Sequence, residues 1–227
     1  MMGDWKEELE KRTGIRFQTT EPKEIEKRSF EIIKGELGEE FLASYPEDRL
    51  PVLIRVIHTT ADFSYRDRLY FSDDAMEAAE HAIRRGCPVV TDTTMAASGI
   101  NKAAAGRCGM EIRCFIGDED VKKAAEAQGI TRSAASVDKA ARLCPGCIYV
   151  VGNAPTALMR LCQLMDEGRI RPSLVIGLPV GFVNVEEAKE LLIRSGIPCI
   201  VGRGRKGGSN VAAAVCNALL YRISRSG

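Results

Sequence analysis

Two histidines occur in the 227-residue chain, and one of them, His58, closes the apolar run Arg55-Val56-Ile57-His58-Thr59-Thr60. Imidazole is the side chain whose ordinary pKa, about 6.5, lets it take and give protons near neutrality. Proton chemistry in this chain therefore points first to His58. The competing reading is a core histidine, buried on an apolar helix face with its ring satisfied, and spacing leaves both open. His81 lies in an ordinary amphipathic segment and reads as a surface or packing residue. Thr59, Thr60 and Asp62 stand near enough in sequence to orient His58. Spacing alone yields no Ser/His/Asp grouping and no paired carboxylates.

Four strand-end stretches, three of them containing glycine, offer a second kind of chemistry. They read Asp92-Thr93-Thr94-Met95, Gly152-Asn153-Ala154-Pro155-Thr156, Gly177-Leu178-Pro179-Val180-Gly181-Phe182 and Gly202-Arg203-Gly204-Arg205-Lys206-Gly207-Gly208-Ser209-Asn210. Each follows an apolar run and precedes a helical pattern. Glycine lets a ligand approach the backbone, and helix N-termini present unpaired N–H groups that favour anions. Arg203, Arg205 and Lys206 add cations suited to carboxylate or phosphate. A sharp connector with solvated charges explains the last stretch equally well. Gly202-x-Gly204 lacks the remaining spacing of a dinucleotide fingerprint, and no GxxxxGK[ST] phosphate loop occurs.

Of the eight cysteines, only Cys144-Pro145-Gly146-Cys147 forms a close pair. Half a zinc site and a redox pair are both conceivable, but no second pair stands at metal-ligand spacing. A Pro-Gly turn between helix and strand explains it better. Cys87, Cys114, Cys162, Cys199 and Cys216 lie in apolar segments, where a reduced thiol serves as a small core residue.

These groups need a scaffold. Hydrophobic residues make up 45% and charged residues 28%, enough for a sizeable core, and the length suits one domain spanning residues 1–227. A net charge of +1 gives no reason to expect nucleic acid or a membrane surface as partner. No apolar run approaches the roughly 20 residues of a membrane span, and Met1 to Arg12 lacks a signal-peptide core, so a cytoplasmic protein is expected.

Met1 to Gly14 reads as a short helix within an amino-terminal extension reaching Glu21. Ile25 to Leu37 and Glu47 to His58 read as helices, with Leu50, Leu53, Ile54, Ile57 and His58 on one face of the second. From Leu69 onward short apolar strands alternate with amphipathic helices. The strands are expected at 69–71, 88–92, 111–116, 147–151, 174–177 and 198–202. Ser72, Asp118 and Thr131 or Ser133 are candidate helix caps. Val185, Ala188, Leu191 and Leu192 mark one inward helix face, and Val211, Val215, Ala218 and Leu219 that of the last helix. The pattern predicts a three-layer α/β/α domain with a mainly parallel sheet, its ligand at the carboxyl ends of the strands.

At this point several uncommon strings, in order, resemble the precorrin-8X methylmutase family. They are Arg28-Ser29-Phe30-Glu31-Ile32-Ile33, Val56-Ile57-His58-Thr59-Thr60, Thr131-Arg132-Ser133-Ala134-Ala135, Gly152-Asn153-Ala154-Pro155-Thr156-Ala157-Leu158, Gly177-Leu178-Pro179-Val180-Gly181-Phe182-Val183 and Arg203-Gly204-Arg205-Lys206-Gly207-Gly208-Ser209. The resemblance runs from about Ile25 to the last helix. It implies an isomerase of cobalamin (vitamin B12) biosynthesis that moves a methyl group from C-11 to C-12 of a contracted tetrapyrrole. It implies no cofactor and no protein-bound metal, and a homodimer holding substrate near the subunit contact.

His58 matches the family's histidine, a general acid toward the macrocycle. Arg132, Asn153, Thr156, Arg203, Arg205, Gly207, Gly208 and Ser209 fall where the ring's carboxylates would be held, with Ser29 and Thr60 as further donors. Thr59-Thr60-Ala61-Asp62-Phe63 resembles the cobalt-precorrin-8 branch more than the aerobic one, giving cobyrinate instead of hydrogenobyrinate. The rivals are a corrinoid carrier without chemistry and an enzyme taking a phosphorylated ligand at the Arg203 to Ser209 turn.

Overall fold

The computed structural model describes residues 5–224, and the chain clusters into two compact units, residues 1–45 and 46–227. In the first unit the expected amino-terminal helix is α1, Trp5–Thr13; residues 1–4 of that expectation lie outside the described residues. Gly14 stops it, with φ at 72° and its N–H on the Glu10 carbonyl. Helix α2 spans Pro22–Leu37 and starts on proline, whose missing N–H is no loss in a first turn. A six-residue helix, α3 (Glu39–Ser44), follows Gly38. It was not foreseen, because so short a segment shows no period.

The second unit opens with α4 (Leu50–Thr60), α5 (Tyr65–Arg68) and β1 (Leu69–Phe71). Then come α6 (Ala75–Arg84), β2 (Val89–Thr91), α7 (Thr94–Gly99), α8 (Lys102–Arg107), β3 (Ile112–Arg113), α9 (Glu119–Gln128) and α10 (Arg132–Leu143). The chain continues through β4 (Ile148–Val151), α11 (Pro155–Asp166), β5 (Leu174–Gly177), α12 (Val185–Arg194), β6 (Cys199–Gly202) and α13 (Ser209–Ser224). The strands form one sheet in the order β1-β6-β5-β4-β2-β3. Every pairing is parallel except β1 with β6, where Leu69 faces Gly202 and Phe71 faces Ile200.

Strands β2, β4, β5 and β6 are buried along their whole length, as the continuous apolar runs require when helices cover both faces. Tyr149, Val151, Val175, Cys199 and Val201 share a core with Val137 of α10, Leu158 and Leu161 of α11, and Leu192 of α12. Side chains alternate along a strand, so Ile148, Val150, Leu174, Ile176 and Ile200 face the other way. That face is covered by α13 and α6, with α4 packed along α13. The expected three layers are therefore present.

Several local expectations need correction. His58 is exposed, although its helix is rich in apolar residues. The buried residues of α4 are Val52, Leu53, Ile54, Val56 and Ile57, which turns the inward arc away from Leu50 and His58. In α12 the inward residue is Lys189, fully buried, while Leu191 is 44% exposed. Ser72 does not cap α6: the cap position is Asp74, and the Ser72 hydroxyl donates to Asp74 while accepting the Cys199 N–H. Asp118 stands at the start of α9 but gives its carboxylate to Lys139 instead of the helix N–H groups. Strand β3 covers only Ile112 and Arg113 of the expected run. The short helices α5, α7 and α8 were not foreseen.

Candidate functional site

Strand β2 leads out to β3 on one side and β4 leads to β5 on the other, so the sheet's topological switch lies between β2 and β4. Ligands of such sheets bind at the carboxyl ends beside the switch. There Asp92, directly after β2, reaches across to the loop after β4. Its Oδ1 accepts the Gly152 N–H at 2.9 Å, and its Oδ2 accepts those of Asn153 and Ala154, each at 2.8 Å. Burial pushes the Asp92 carboxyl up, against the opposing pull of these three N–H groups. In the sequence Asp92 is legible as part of a strand-end loop but not as the residue that organises it. The sequence signal was a carboxylate at the end of an otherwise apolar strand.

The consequence for the 152–156 loop is specific. Its N–H groups at 152, 153 and 154 are spent on Asp92, so a ligand there meets the side chains of Asn153, which is exposed, and Thr156. Thr156 Oγ1 lies 2.8 Å from Thr131 Oγ1, which ties the start of α11 to the start of α10. Thr131 also caps α10 by accepting the Ala134 N–H at 3.2 Å, which sets exposed Arg132 at the first helical position.

On the other side, Thr93 Oγ1 lies 2.8 Å from Ser209 Oγ, joining the loop after β2 to the start of α13. Only glycine fits at 152 beneath that helix: a Cβ would stand 2.6 Å from the Ser209 Cα and 2.9 Å from its N. Gly207 is wedged against the Leu178 and Pro179 carbonyls, where a Cβ has no room, and the Gly208 N–H bonds the Leu178 carbonyl at 2.8 Å. The 203–209 turn is thus pressed onto the loop after β5.

The cations of that turn behave differently from one another. Arg203 Nε pairs with Glu190 at 3.3 Å and its guanidinium lies over the Tyr70 ring; Arg205 Nε pairs with Glu186 at 2.9 Å and stacks near Phe182. Each pair uses Nε of a group with five N–H donors, so the outer fork can still meet a carboxylate. Lys206 reaches away from the turn to Asp62 Oδ2 at 2.5 Å and Ser64 Oγ at 3.1 Å. Its ammonium holds the Asp62 carboxyl below the usual range. Lys189 enters from below, its Nζ donating to the Gly204 and Lys206 carbonyls at 2.6 and 2.8 Å. Burial lowers its pKa to about 8.

Asp62 lies one turn beyond His58, so the Lys206 bridge draws the histidine end of α4 to the glycine-rich edge. Thr60 Oγ1 donates to the Val56 carbonyl at 2.8 Å and accepts the Asp62 N–H at 3.2 Å. Its hydroxyl hydrogen is therefore occupied, as is that of Ser29, which donates to Ile25 at 2.8 Å in the first unit. In this arrangement neither hydroxyl has a hydrogen left for a carboxylate, which departs from their expected role as donors. Met95 and Phe182, at 69% and 84% exposed, give the carboxyl edge an apolar surface. At the opposite end of β4, the Cys144 carbonyl accepts the Cys147 N–H across Pro145-Gly146, the turn expected there.

A model of the precorrin-8X methylmutase family matches residues 24–222. The chain is 48% identical to the cobalt-precorrin-8 methylmutase of Salmonella typhimurium over 210 residues, covering 89% of this chain and 96% of that protein. It is 43% identical to the cobalt-precorrin-8 methylmutase of Priestia megaterium, over 92% of this chain and 91% of that one. A solved precorrin-8X methylmutase from Thermus thermophilus superposes with a TM-score of 0.80 at 38% identity, covering 89% of this chain and 98% of its own.

Proposed function

The chain belongs to the precorrin-8X methylmutase family, and from that premise we propose how its carboxyl-edge residues carry out the reaction. The protein is an isomerase of cobalamin biosynthesis that moves a methyl group within its tetrapyrrole substrate. The relatives' names favour this over a carrier without chemistry. The finer reading is migration from C-11 to C-12 of cobalt-precorrin-8, or of precorrin-8, giving cobyrinate or hydrogenobyrinate.

Such a substrate is a broad apolar ring edged with carboxylates. It calls for an apolar surface, cations and polar donors at the rim, and an acid over one ring position. Met95 and Phe182 offer the first. Arg132, Arg203 and Arg205 offer the cations, with Asn153, Thr156, Ser209 and the backbone at Gly207 beside them; Gly208, its N–H spent on the Leu178 carbonyl, shapes the turn. Ser29 and Thr60 join the rim as donors only by turning their hydroxyls away from the Ile25 and Val56 carbonyls. His58 lends a proton to the macrocycle, the methyl group passes from one carbon to its neighbour, and the proton returns, so the sum is an isomerisation. No nucleophile is required, and rigid alignment of the migrating bond does the rest.

The single observation that supports this arrangement is the Lys206 bridge to Asp62, which ties the exposed histidine's helix end to the glycine-rich turn. The proposal treats residues 1–227 as one functional domain, since the family match at 24–222 runs through both units. It takes the active form as a cytoplasmic homodimer, with the exposed apolar edge residues near the subunit contact. No helix of the described residues is long and apolar enough to cross a membrane.

The test is an anaerobic absorbance assay with both substrates. We expect conversion by the parent and, for His58→Ala, turnover lower by about 10²–10⁴-fold, the usual scale of general acid help, with product still bound. Parental turnover by His58→Ala would remove the acid from the reading. Stoichiometric binding without spectral change in the parent would restore the carrier.

A further inference from the structure

We propose that Lys189 and Lys206 form a strut that sets where His58 stands relative to the glycine-rich turn, making both of them positioning residues for the methyl shift. This rests on the reading of His58 as the acid. The links are continuous. Lys189, on the inward face of α12, pins the carbonyls of Gly204 and Lys206 with one buried nitrogen at 2.6 and 2.8 Å. From the backbone it pins, the Lys206 side chain runs to Asp62 and Ser64 at 2.5 and 3.1 Å. Asp62 Oδ1 accepts the Ser64 N–H at 3.0 Å, and the Asp62 N–H bonds Thr60, whose hydroxyl holds the Val56 carbonyl. The path ends in the last turn of α4, which carries His58.

Two observations set this apart from an ordinary surface ion pair, which contributes little. First, burying a lysine is costly, and a leucine at 189 would serve the packing of α12. The two carbonyls it holds belong to the turn, so the turn is what its placement secures. Second, α4 leaves its helix through Ala61 in the left-handed conformation, φ 51°, where glycine is the relaxed choice. An alanine in that conformation is strained, and Asp62, the next residue, is where Lys206 takes hold.

The test uses the full-length enzyme with Lys206→Met, Asp62→Asn, their double variant, Lys206→Arg and Lys189→Met, each assayed for kcat, KM and product affinity. A displacement of His58 by about an ångström costs up to roughly 10²-fold, so we expect kcat of Lys206→Met and Asp62→Asn to fall by about ten- to a hundredfold while KM hardly moves. The double variant should be no slower than the worse single one, and Lys206→Arg should restore most of the rate. Lys206 is half exposed, so its variants fold even if Lys189→Met does not. Parental kcat in Lys206→Met, or fully multiplicative losses in the double variant, would overturn the strut. So would a raised KM at unchanged kcat, the mark of a rim cation. If His58→Ala is inactive while Lys206→Met runs at the parental rate, the strut alone falls; if His58→Ala is fully active, the acid and the strut fall together.

Discussion

Replacing Asp92 with asparagine keeps the side chain's shape and removes one of its two acceptor oxygens. In the parent, one oxygen takes a single N–H and the other takes two, all at 2.8–2.9 Å. The best placement of the amide keeps its oxygen on Asn153 and Ala154 and turns its NH₂ toward the Gly152 N–H. That loses one charge-assisted hydrogen bond, about 1.5–3 kcal/mol, and leaves a buried donor facing another donor, about 1–3 kcal/mol. Relief of the burial that pushes the carboxyl up offsets part of this, leaving a net loss of about 2–4 kcal/mol. At about 2–4 °C per kcal/mol for a chain of this size, the melting temperature should fall by about 4–16 °C. Urea unfolding followed by circular dichroism measures the free energy, and the corrinoid absorbance assay measures the site. With the loop no longer held, product affinity should fall alongside stability. An Asp92→Asn enzyme within about 0.5 kcal/mol of the parent, the range of an ordinary surface change, and with parental affinity would show that the three N–H groups do not depend on this carboxylate.

Other perturbations follow from the same geometry. Lys189 has its folded-state pKa lowered from 10.5 to about 8. Below that range both states hold the proton. Between about 8 and 10.5 the unfolded chain keeps a proton the folded one has lost, so this group adds stability as pH rises, on the order of 3 kcal/mol in total. The buried thiols of Cys147, Cys162, Cys199 and Cys216 are pushed up and act in the opposite sense above their ordinary range. The quantity to measure is therefore the difference in urea stability between parent and Lys189→Met from pH 7 to 10. It should grow in the parent's favour, and parallel curves would contradict the assignment. Gly152→Ala drives a methyl group into the backbone of Ser209, 2.6 Å from its Cα. We expect α13 to lift from β4, with loss of product binding and of about 1–3 kcal/mol, as overpacking usually costs, checked by absorbance titration and melting; unchanged affinity would mean that the turn's fit against β4 does not govern the site.

The alternation of short apolar runs with amphipathic helices made the sheet and its layers readable, because strands buried on both faces leave an unbroken apolar signature. The order of strands was not readable, since an edge strand such as Leu69-Tyr70-Phe71 has the same signature whether it pairs parallel or antiparallel. In α4, Val52 and Val56 joined the inward arc and rotated it, leaving His58 on an exposed face. With apolar residues around most of a helix, periodicity fixes the element but poorly fixes its rotation. Lys189 was hidden for the opposite reason. Lysine on a helix is normally read as solvent-facing, yet Val185, Ala188, Lys189 and Leu192 stand at inward spacing. The role of Asp92 lay in contacts about 60 residues away, which no local pattern carries. The arginines of the turn were visible by type, but their pairing with α12 carboxylates was not.

The antiparallel direction of β1 has a consequence for how the site comes into being. Because β1 runs against β6, its beginning lies at the carboxyl edge of the parallel strands, and the segment just before it, with Asp62 and Ser64, arrives at that edge. A parallel β1 would have delivered the same histidine helix to the far side of the sheet. The Lys206 to Asp62 bridge then closes over 144 residues of chain and can form only once β1 has found β6. Closure of so long a loop is entropically demanding, which predicts that it comes late in folding. Refolding enzyme should regain its helical signal before it regains turnover, with activity timed by the docking of a three-residue strand.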